Sequence, residues 1–116
     1  MSKPLGPYTP IVRAGDWLVV SGQLGLVDGV LVHGGVADEV RHALANMASL
    51  LEGEGAGLSS VVKTTVFLRH MSDYAAMNDA YLEAFGDHRP ARAAVGVSGL
   101  PLSALVEIEA WAYLPQ

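Results

Sequence analysis

An arginine and two glutamates are the residues of this chain whose spacing most directly indicates chemistry. Arg92 stands in "HRPARAAVGV" (88–97) and is followed by five small or β-branched residues, as in a buried strand. Glu107 and Glu109 alternate with apolar residues in "ALVEIEAWAYL" (104–114), so both carboxylates are expected on one face of a second strand. Because a guanidinium stays charged and its burial without a partner is costly, Arg92 is expected to hold an anion.

Two interpretations of Arg92 remain open from the residues alone. It could pair structurally with Glu107 or Glu109 across adjacent strands. It could instead bind the carboxylate of a small molecule, for which a planar guanidinium has the matching bidentate geometry. Glu107 is likewise either a carboxylate at the rim of a surface or, in a partly dry cleft, an acid–base group with a raised pKa.

The elements predicted around these residues form an α+β fold, and residues 1–116 are expected to be a single domain. Asp28-Gly29 between apolar runs indicates a hairpin. The apolar stripe from Val40 to Leu51 indicates a first helix, and the stripe from Tyr74 to Phe85 a second. The predicted order is β-β-β-α-β-α-β-β, a mixed six-stranded sheet with two helices on one face.

The last predicted strand has a face that a monomer core would not contain. Strict alternation places Glu107, Glu109, Trp111 and Tyr113 opposite a purely aliphatic face. The chain is also 51% apolar and only 16% charged. A homo-oligomer that buries this second face, with a polar site at its rim, accounts for both observations.

Composition argues against several classes of function. The chain has no cysteine, which excludes thiol catalysis and cysteine-bound zinc, and its 4 histidines show no ligand spacing, so no metal is expected. A net charge of −5 with scattered basic residues argues against a nucleic-acid partner. No apolar run approaches the roughly 18 residues of a membrane span, so a cytoplasmic protein without a membrane partner is expected.

Several blocks of the sequence, in order from Gly6 to Leu114, resemble the RidA/YjgF family of reactive-intermediate imine deaminases. The blocks are "GPY" (6–8), "VSGQ" (20–23), "VVKTTVFL" (61–68), "DYAAMNDAYLEAFG" (73–86), "PAR" (90–92) and "LVEIEAWAYL" (105–114). Each block alone is weak, but "PAR" followed by "VEIEA", with "SGQ" upstream, is specific in combination.

This resemblance implies a chorismate-mutase-like fold in which three subunits line a central barrel with their sheets. The sites would lie in clefts between neighbouring subunits of the homotrimer. The implied activity is hydrolysis of 2-imino and enamine acids, such as 2-aminoacrylate, to 2-keto acids and ammonia. Such an enzyme is a hydrolase acting on C–N bonds, and it uses no metal or cofactor.

The resemblance also implies the site residues. Arg92 would bind the substrate carboxylate, and Glu107 would be the catalytic glutamate. The substrate-binding positions are Tyr8, Ser21, Gly22, Asn78 and Ala94, the last through its backbone N–H. The chain departs from the family pattern at three positions, where many members have Gln, Cys and Glu: Pro10, Ala94 and Gly96.

Other functions remain open beside the deaminase. A non-catalytic trimer that senses small 2-keto acids would need Arg92 but not Glu107. Endoribonuclease or translation-inhibitor activity, which is also attributed to family members, conflicts with the acidic charge balance. A specialised deaminase for an aminomuconate-like or pyrimidine-derived intermediate would use the same residues on a different substrate.

Overall fold

The computed structural model describes residues 4–116, in which two α-helices cover one face of a mixed sheet of five strands. The predicted fold class is confirmed. The elements are β1 (Ile11–Ala14), β2 (Trp17–Gln23), β3 (Leu26–Val27), β4 (Val30–Leu31), α1 (Gly35–Glu52), β5 (Val61–Leu68), α2 (Tyr74–Phe85), β6 (Ala91–Gly96) and β7 (Val106–Tyr113). The sheet order is β1-β2-β7-β5-β6, and only β5 and β6 are parallel.

The segment expected to supply the sixth strand forms a separate two-stranded sheet instead. Strands β3 and β4 contain two residues each and turn at Asp28-Gly29, where φ is positive at both residues. The side chain of Asn46 on α1 donates hydrogen bonds to the carbonyl oxygens of Leu24 and Leu26, both at 3.0 Å. These bonds hold the start of the hairpin against the helix, so the main sheet has five strands rather than six.

The helices are amphipathic, as their apolar stripes predict. On α1 the stripe residues are all fully buried, and the helix ends immediately before Gly53. On α2, Met77, Tyr81 and Phe85 are buried, whereas Tyr74 at its start is 40% exposed. Both helices therefore pack their apolar sides onto the same face of the sheet, which is called the helix face below.

Strand β7 alternates between two chemically different faces, as predicted. Its helix-face residues Val106, Ile108, Ala110 and Ala112 are at most 1% exposed. Its other residues lie on the open face, opposite the two α-helices, where Glu107 and Glu109 are half-buried and Trp111 and Tyr113 are exposed. There Trp17 contacts Trp111 and Tyr113 edge to face, with ring centroids 6.1 and 5.0 Å apart.

A buried carboxylate connects α1 to the beginning of β7. Glu39 is only 3% exposed, and its Oε1 accepts a hydrogen bond from the backbone N–H of Leu105 at 2.8 Å. The contact is close, since a Cβ built on Gly25 would lie 2.6 Å from the Cα of Glu39. Desolvation raises the pKa of Glu39, and backbone N–H groups of Leu105 and Val106 offset part of that effect.

The stability contributed by Glu39 is expected to fall as pH rises. The pKa of Glu39 in the folded protein lies above the ordinary value of 4.5. The stability that protonated Glu39 contributes is therefore complete below pH 4.5, and it is lost as pH rises through the pKa of the folded protein. Glu39→Gln retains an acceptor for Leu105 but cannot ionise. In urea unfolding between about pH 4 and pH 8, the free energy of unfolding of Glu39→Gln, relative to wild type, should increase with pH.

The exposed Glu52→Gln at the end of α1 is the matched control for that measurement. Its free energy of unfolding relative to wild type should change less over the same range. A pH-independent difference between Glu39→Gln and wild type would contradict the proposed linkage.

Candidate active site

Glu107 and three other predicted site residues line one pocket. The pocket has a volume of about 530 Å³ and is formed by the N-terminal segment, β2 and the loop before β7. Its lining residues are Leu5, Gly6, Pro7, Tyr8, Ser21, Gly22, Leu24, Pro101 and Glu107. The structure thus brings together Tyr8, Ser21, Gly22 and Glu107, which are called the Glu107 group below.

The glycine of this group lies directly against the side chain of the glutamate. A Cβ built on Gly22 would lie 2.1 Å from Oε2 of Glu107 and 2.6 Å from its Cδ. Both distances are far below van der Waals contact. The Glu107 carboxylate therefore rests directly on the backbone of β2, in space that any other residue at position 22 would occupy.

The electrostatics of Glu107 favour an acid–base role. Partial burial raises the pKa of its carboxyl group, and the negative charge of Glu109 on the same face raises it further. A carboxyl group in this position can hold or release a proton closer to neutral pH than an exposed glutamate. Tyr8 and Ser21, which both carry hydroxyl groups, also line the pocket.

Arg92 lies in a different environment, between strand β6 and helix α2. Its Nη2 donates a hydrogen bond to the hydroxyl oxygen of Tyr74 at 3.1 Å, and its Nη1 lies 3.8 Å from the sulfur of Met77. Its Cζ lies 4.9 Å from the ring centroid of Tyr81 and 5.6 Å from that of Tyr74. These are cation–π distances, so the guanidinium is held by aromatic rings.

No carboxylate within residues 4–116 neutralises Arg92. The ion pairs in that range join Arg41 to Asp38 and Glu83, and none within 4.0 Å involves Arg92. Pairing with Glu107 or Glu109 across adjacent strands is wrong for the single chain, because β6 neighbours β5 and not β7. The guanidinium has five N–H donors, so several remain for a ligand.

Two more predicted site residues lie on the helix and the strand that flank the Arg92 side chain. Asn78 shares the side of α2 that carries Tyr74 and Tyr81, since the three are spaced at i, i+4 and i+7. Its Oδ1 is buried and has no hydrogen-bond partner among the described residues. Ala94 follows two residues after Arg92 and therefore lies on the same side of β6. Asn78, Arg92 and Ala94 are called the Arg92 group.

The two groups are on opposite faces of the sheet within one chain. Arg92 is in register with Thr64, which is fully buried on the helix face. Glu107 is in register with Phe67 on the same strand β5. Because Phe67 follows Thr64 by three residues, its side chain lies on the opposite face of the sheet. One chain therefore does not bring its own Arg92 and Glu107 together, and a site using both needs a second copy.

Sequence reasoning did not identify the aromatic surroundings of Arg92 as part of the site. Tyr74, Met77 and Tyr81 were predicted only as the packing stripe of a helix. The available signal was that two of these stripe residues carry hydroxyl groups, which a purely apolar stripe does not need.

A larger cleft of about 870 Å³, between the hairpin and α1, also adjoins the Glu107 group through Tyr8, Ser21 and Gly22.

Within residues 4–116, no three His, Cys, Asp or Glu side chains are grouped so that they could hold a metal ion. No helix in that part of the chain is long and apolar enough to cross a membrane.

Comparisons with known proteins agree with the motifs. The family model described as Endoribonuclease L-PSP matches residues 1–114. A RutC family protein of Pyrococcus horikoshii is 45% identical over 113 residues, covering 96% of this chain and 90% of the relative. The human 2-iminobutanoate/2-iminopropanoate deaminase is 42% identical over 108 residues, covering 91% and 79% respectively.

Solved structures agree as well. The crystal structure of Escherichia coli TdcF with bound serine has a TM-score of 0.89 at 31% identity, covering 95% of this chain and 90% of that one. The motif resemblance is confirmed: this chain belongs to the Endoribonuclease L-PSP family, which includes the RidA and YjgF proteins.

Proposed function

We propose that this protein hydrolyses small 2-imino and enamine acids to 2-keto acids and ammonia. The observation that carries the proposal is the guanidinium of Arg92, which is held in place without an anion partner among residues 4–116. Such a group is complementary to the carboxylate of a 2-imino acid. The deaminase activity named for the human relative supports the same reaction class.

Arg92 would fix the position of the reacting carbon. In a 2-imino acid this carbon is bonded directly to the carboxylate, so a bidentate contact to both oxygens leaves it little freedom. Holding the carbon in one place lowers the entropic part of the barrier to attack by water. Asn78, on the same side of α2 as Tyr74 and Tyr81, is a further candidate contact for the imine through its side-chain amide.

Glu107 would transfer the protons. Its carboxylate accepts a proton from water as the water oxygen bonds to the imine carbon, and it returns that proton to the nitrogen, which gives an amino alcohol at that carbon. The carboxylate then removes the hydroxyl proton and passes it to the nitrogen. The C–N bond breaks with its electron pair leaving on nitrogen as ammonia, and the oxygen forms the C=O bond of the keto product. A raised pKa suits a group that must both take and return a proton.

The complete site would form between copies of the chain. The Arg92 group of one copy would meet the Glu107 group of its neighbour, because the two groups lie on opposite faces within a single chain. The open face supplies the apolar surface for such an association, with Trp17, Trp111 and Tyr113 each 37–47% exposed. The expected assembly is the homotrimer implied by the family resemblance.

The first experiment is a trapping assay. A pyridoxal-phosphate dehydratase or an amino-acid oxidase generates the imine, semicarbazide captures it, and loss of the captured product measures hydrolysis. Loss that requires this protein supports the deaminase. Arg92-dependent binding of 2-oxobutanoate without any turnover would support the ligand-sensing alternative instead. RNA cleavage with a steep salt dependence would support the endoribonuclease, which the net charge of −5 disfavours.

Loss of the guanidinium should abolish most of the activity. We expect Arg92→Ala to reduce kcat/KM by about 100-fold or more, because it removes a charge-assisted bidentate contact. Arg89→Ala is the matched control, since within residues 4–116 the side chain of that exposed arginine donates only to the carbonyl oxygens of Gly86 and His88. Light scattering should give the same molar mass of the assembly for wild type, Arg92→Ala and Arg89→Ala. Unfolding or dissociation of Arg92→Ala would indicate a structural arginine.

The pH dependence of kcat/KM should report the charge of Glu109. The first proton transfer needs ionised Glu107, so activity should fall as pH decreases through its raised pKa, above the ordinary 4.5. Glu109→Gln removes a negative charge that raises this pKa, so the acidic limb should move to lower pH. The exposed Asp79→Asn on α2 should leave the limb in place. An unmoved limb in Glu109→Gln would contradict the assignment.

Two inactive variants should restore each other's activity. The Arg92→Ala and Glu107→Gln variants are unfolded together and refolded as a mixture. At some of the mixed interfaces, the intact Arg92 group of the Glu107→Gln variant then meets the intact Glu107 group of the Arg92→Ala variant. In a cyclic assembly with random mixing, about a quarter of the sites should be complete. The same proteins refolded separately and then combined on ice are the control. Absence of activity in co-refolded, demonstrably mixed oligomers would contradict a shared site.

A further inference from the structure

A buried pair of hydroxyl groups lies next to Arg92 and has no place in the reaction described above. Thr64 Oγ1 on β5 and Tyr81 Oη on α2 are 2.7 Å apart, and the two residues are 0% and 4% exposed. Valine and phenylalanine would fill nearly the same space without placing polar atoms in the core. Packing alone therefore does not account for the pair.

The tyrosine of this pair is also the closest aromatic contact of the guanidinium. Arg92 Cζ lies 4.9 Å from the centroid of the Tyr81 ring, nearer than the 5.6 Å to Tyr74. The parallel register of β5 and β6 sets Thr64 directly beside Arg92. Thr64 thus hydrogen-bonds the hydroxyl group at one end of the Tyr81 ring. The face of the same ring contacts Arg92, which lies beside Thr64 on the neighbouring strand.

The ring remains neutral in this environment. Burial raises the pKa of the Tyr81 hydroxyl, and the effects of Thr64 and Arg92 in the opposite direction are smaller. Tyr81 therefore presents an uncharged π face to Arg92 and does not neutralise it as a phenolate would. Tyr74, which is 40% exposed, contributes its hydroxyl oxygen at the other end of the guanidinium.

We propose that Thr64 and Tyr81 are positioning residues: their hydrogen bond fixes the ring that holds Arg92 in the geometry needed to bind a carboxylate. The inference rests on the proposed function, in which Arg92 binds the substrate. A flexible arginine must be ordered when its ligand arrives, whereas one already held loses less freedom. The pair should therefore control substrate affinity and leave proton transfer by Glu107 unaffected.

A double-mutant cycle separates this role from a purely structural one. Thr64→Val and Tyr81→Phe each leave one buried hydroxyl unpartnered, so each should lower stability and raise KM roughly fivefold, with kcat changed less than about twofold. The double variant has no unpartnered hydroxyl, so its stability should recover. Its KM should stay raised, because the ring has lost its fixed point.

The control and the binding measurement complete the test. Thr65→Val changes the next residue of β5, on the opposite face of the sheet, and should not alter KM. The dissociation constant of 2-oxobutanoate, measured by calorimetry, should rise by the same factor as KM in the Thr64 and Tyr81 variants. A KM that recovers together with stability in the double variant would make the pair merely structural and overturn the inference. Wild type with neither turnover nor 2-oxobutanoate binding would overturn the proposed function itself, and the positioning role with it.

Discussion

The uncompensated charge of Arg92 is the constraint on which the proposed chemistry depends. The chain surrounds this guanidinium with two tyrosine rings and a methionine sulfur and offers it no carboxylate within residues 4–116. Aromatic faces reduce the cost of partial burial but leave the full positive charge available. The arginine is thereby both ordered and open to an anion, a state that an internal salt bridge would have removed.

The two-residue period of the strands explains why the candidate site is divided. Alternation on β5 directs Thr64 to the helix face and Phe67 to the open face, and the neighbouring Arg92 and Glu107 follow the same division. Helices α1 and α2 cover the helix face, whereas neither of them packs on the open face. In the proposed mechanism, assembly of the copies and formation of the site are therefore a single requirement.

Local patterns allowed much of the fold to be predicted, and contacts distant in sequence account for what was missed. The faces of β7 follow from alternation alone, and both helices follow from apolar stripes. The detached hairpin depends on Asn46, about twenty residues away, and no local pattern contains that contact. The aromatic setting of Arg92 depends on the β5–β6 register, and the buried carboxylate of Glu39 depends on Leu105 across the domain.

The contact between Gly22 and Glu107 limits how this pocket can diverge. Because the carboxylate occupies the space of a missing side chain, position 22 cannot be varied to reshape the pocket without displacing the glutamate. Variation in the substrates accepted by related sequences would have to arise elsewhere on the pocket wall, at positions such as Leu5, Leu24 or Pro101. A side chain added at position 22 would thus change the position of the Glu107 carboxylate itself, whereas a change at Leu5, Leu24 or Pro101 would alter the pocket wall around it.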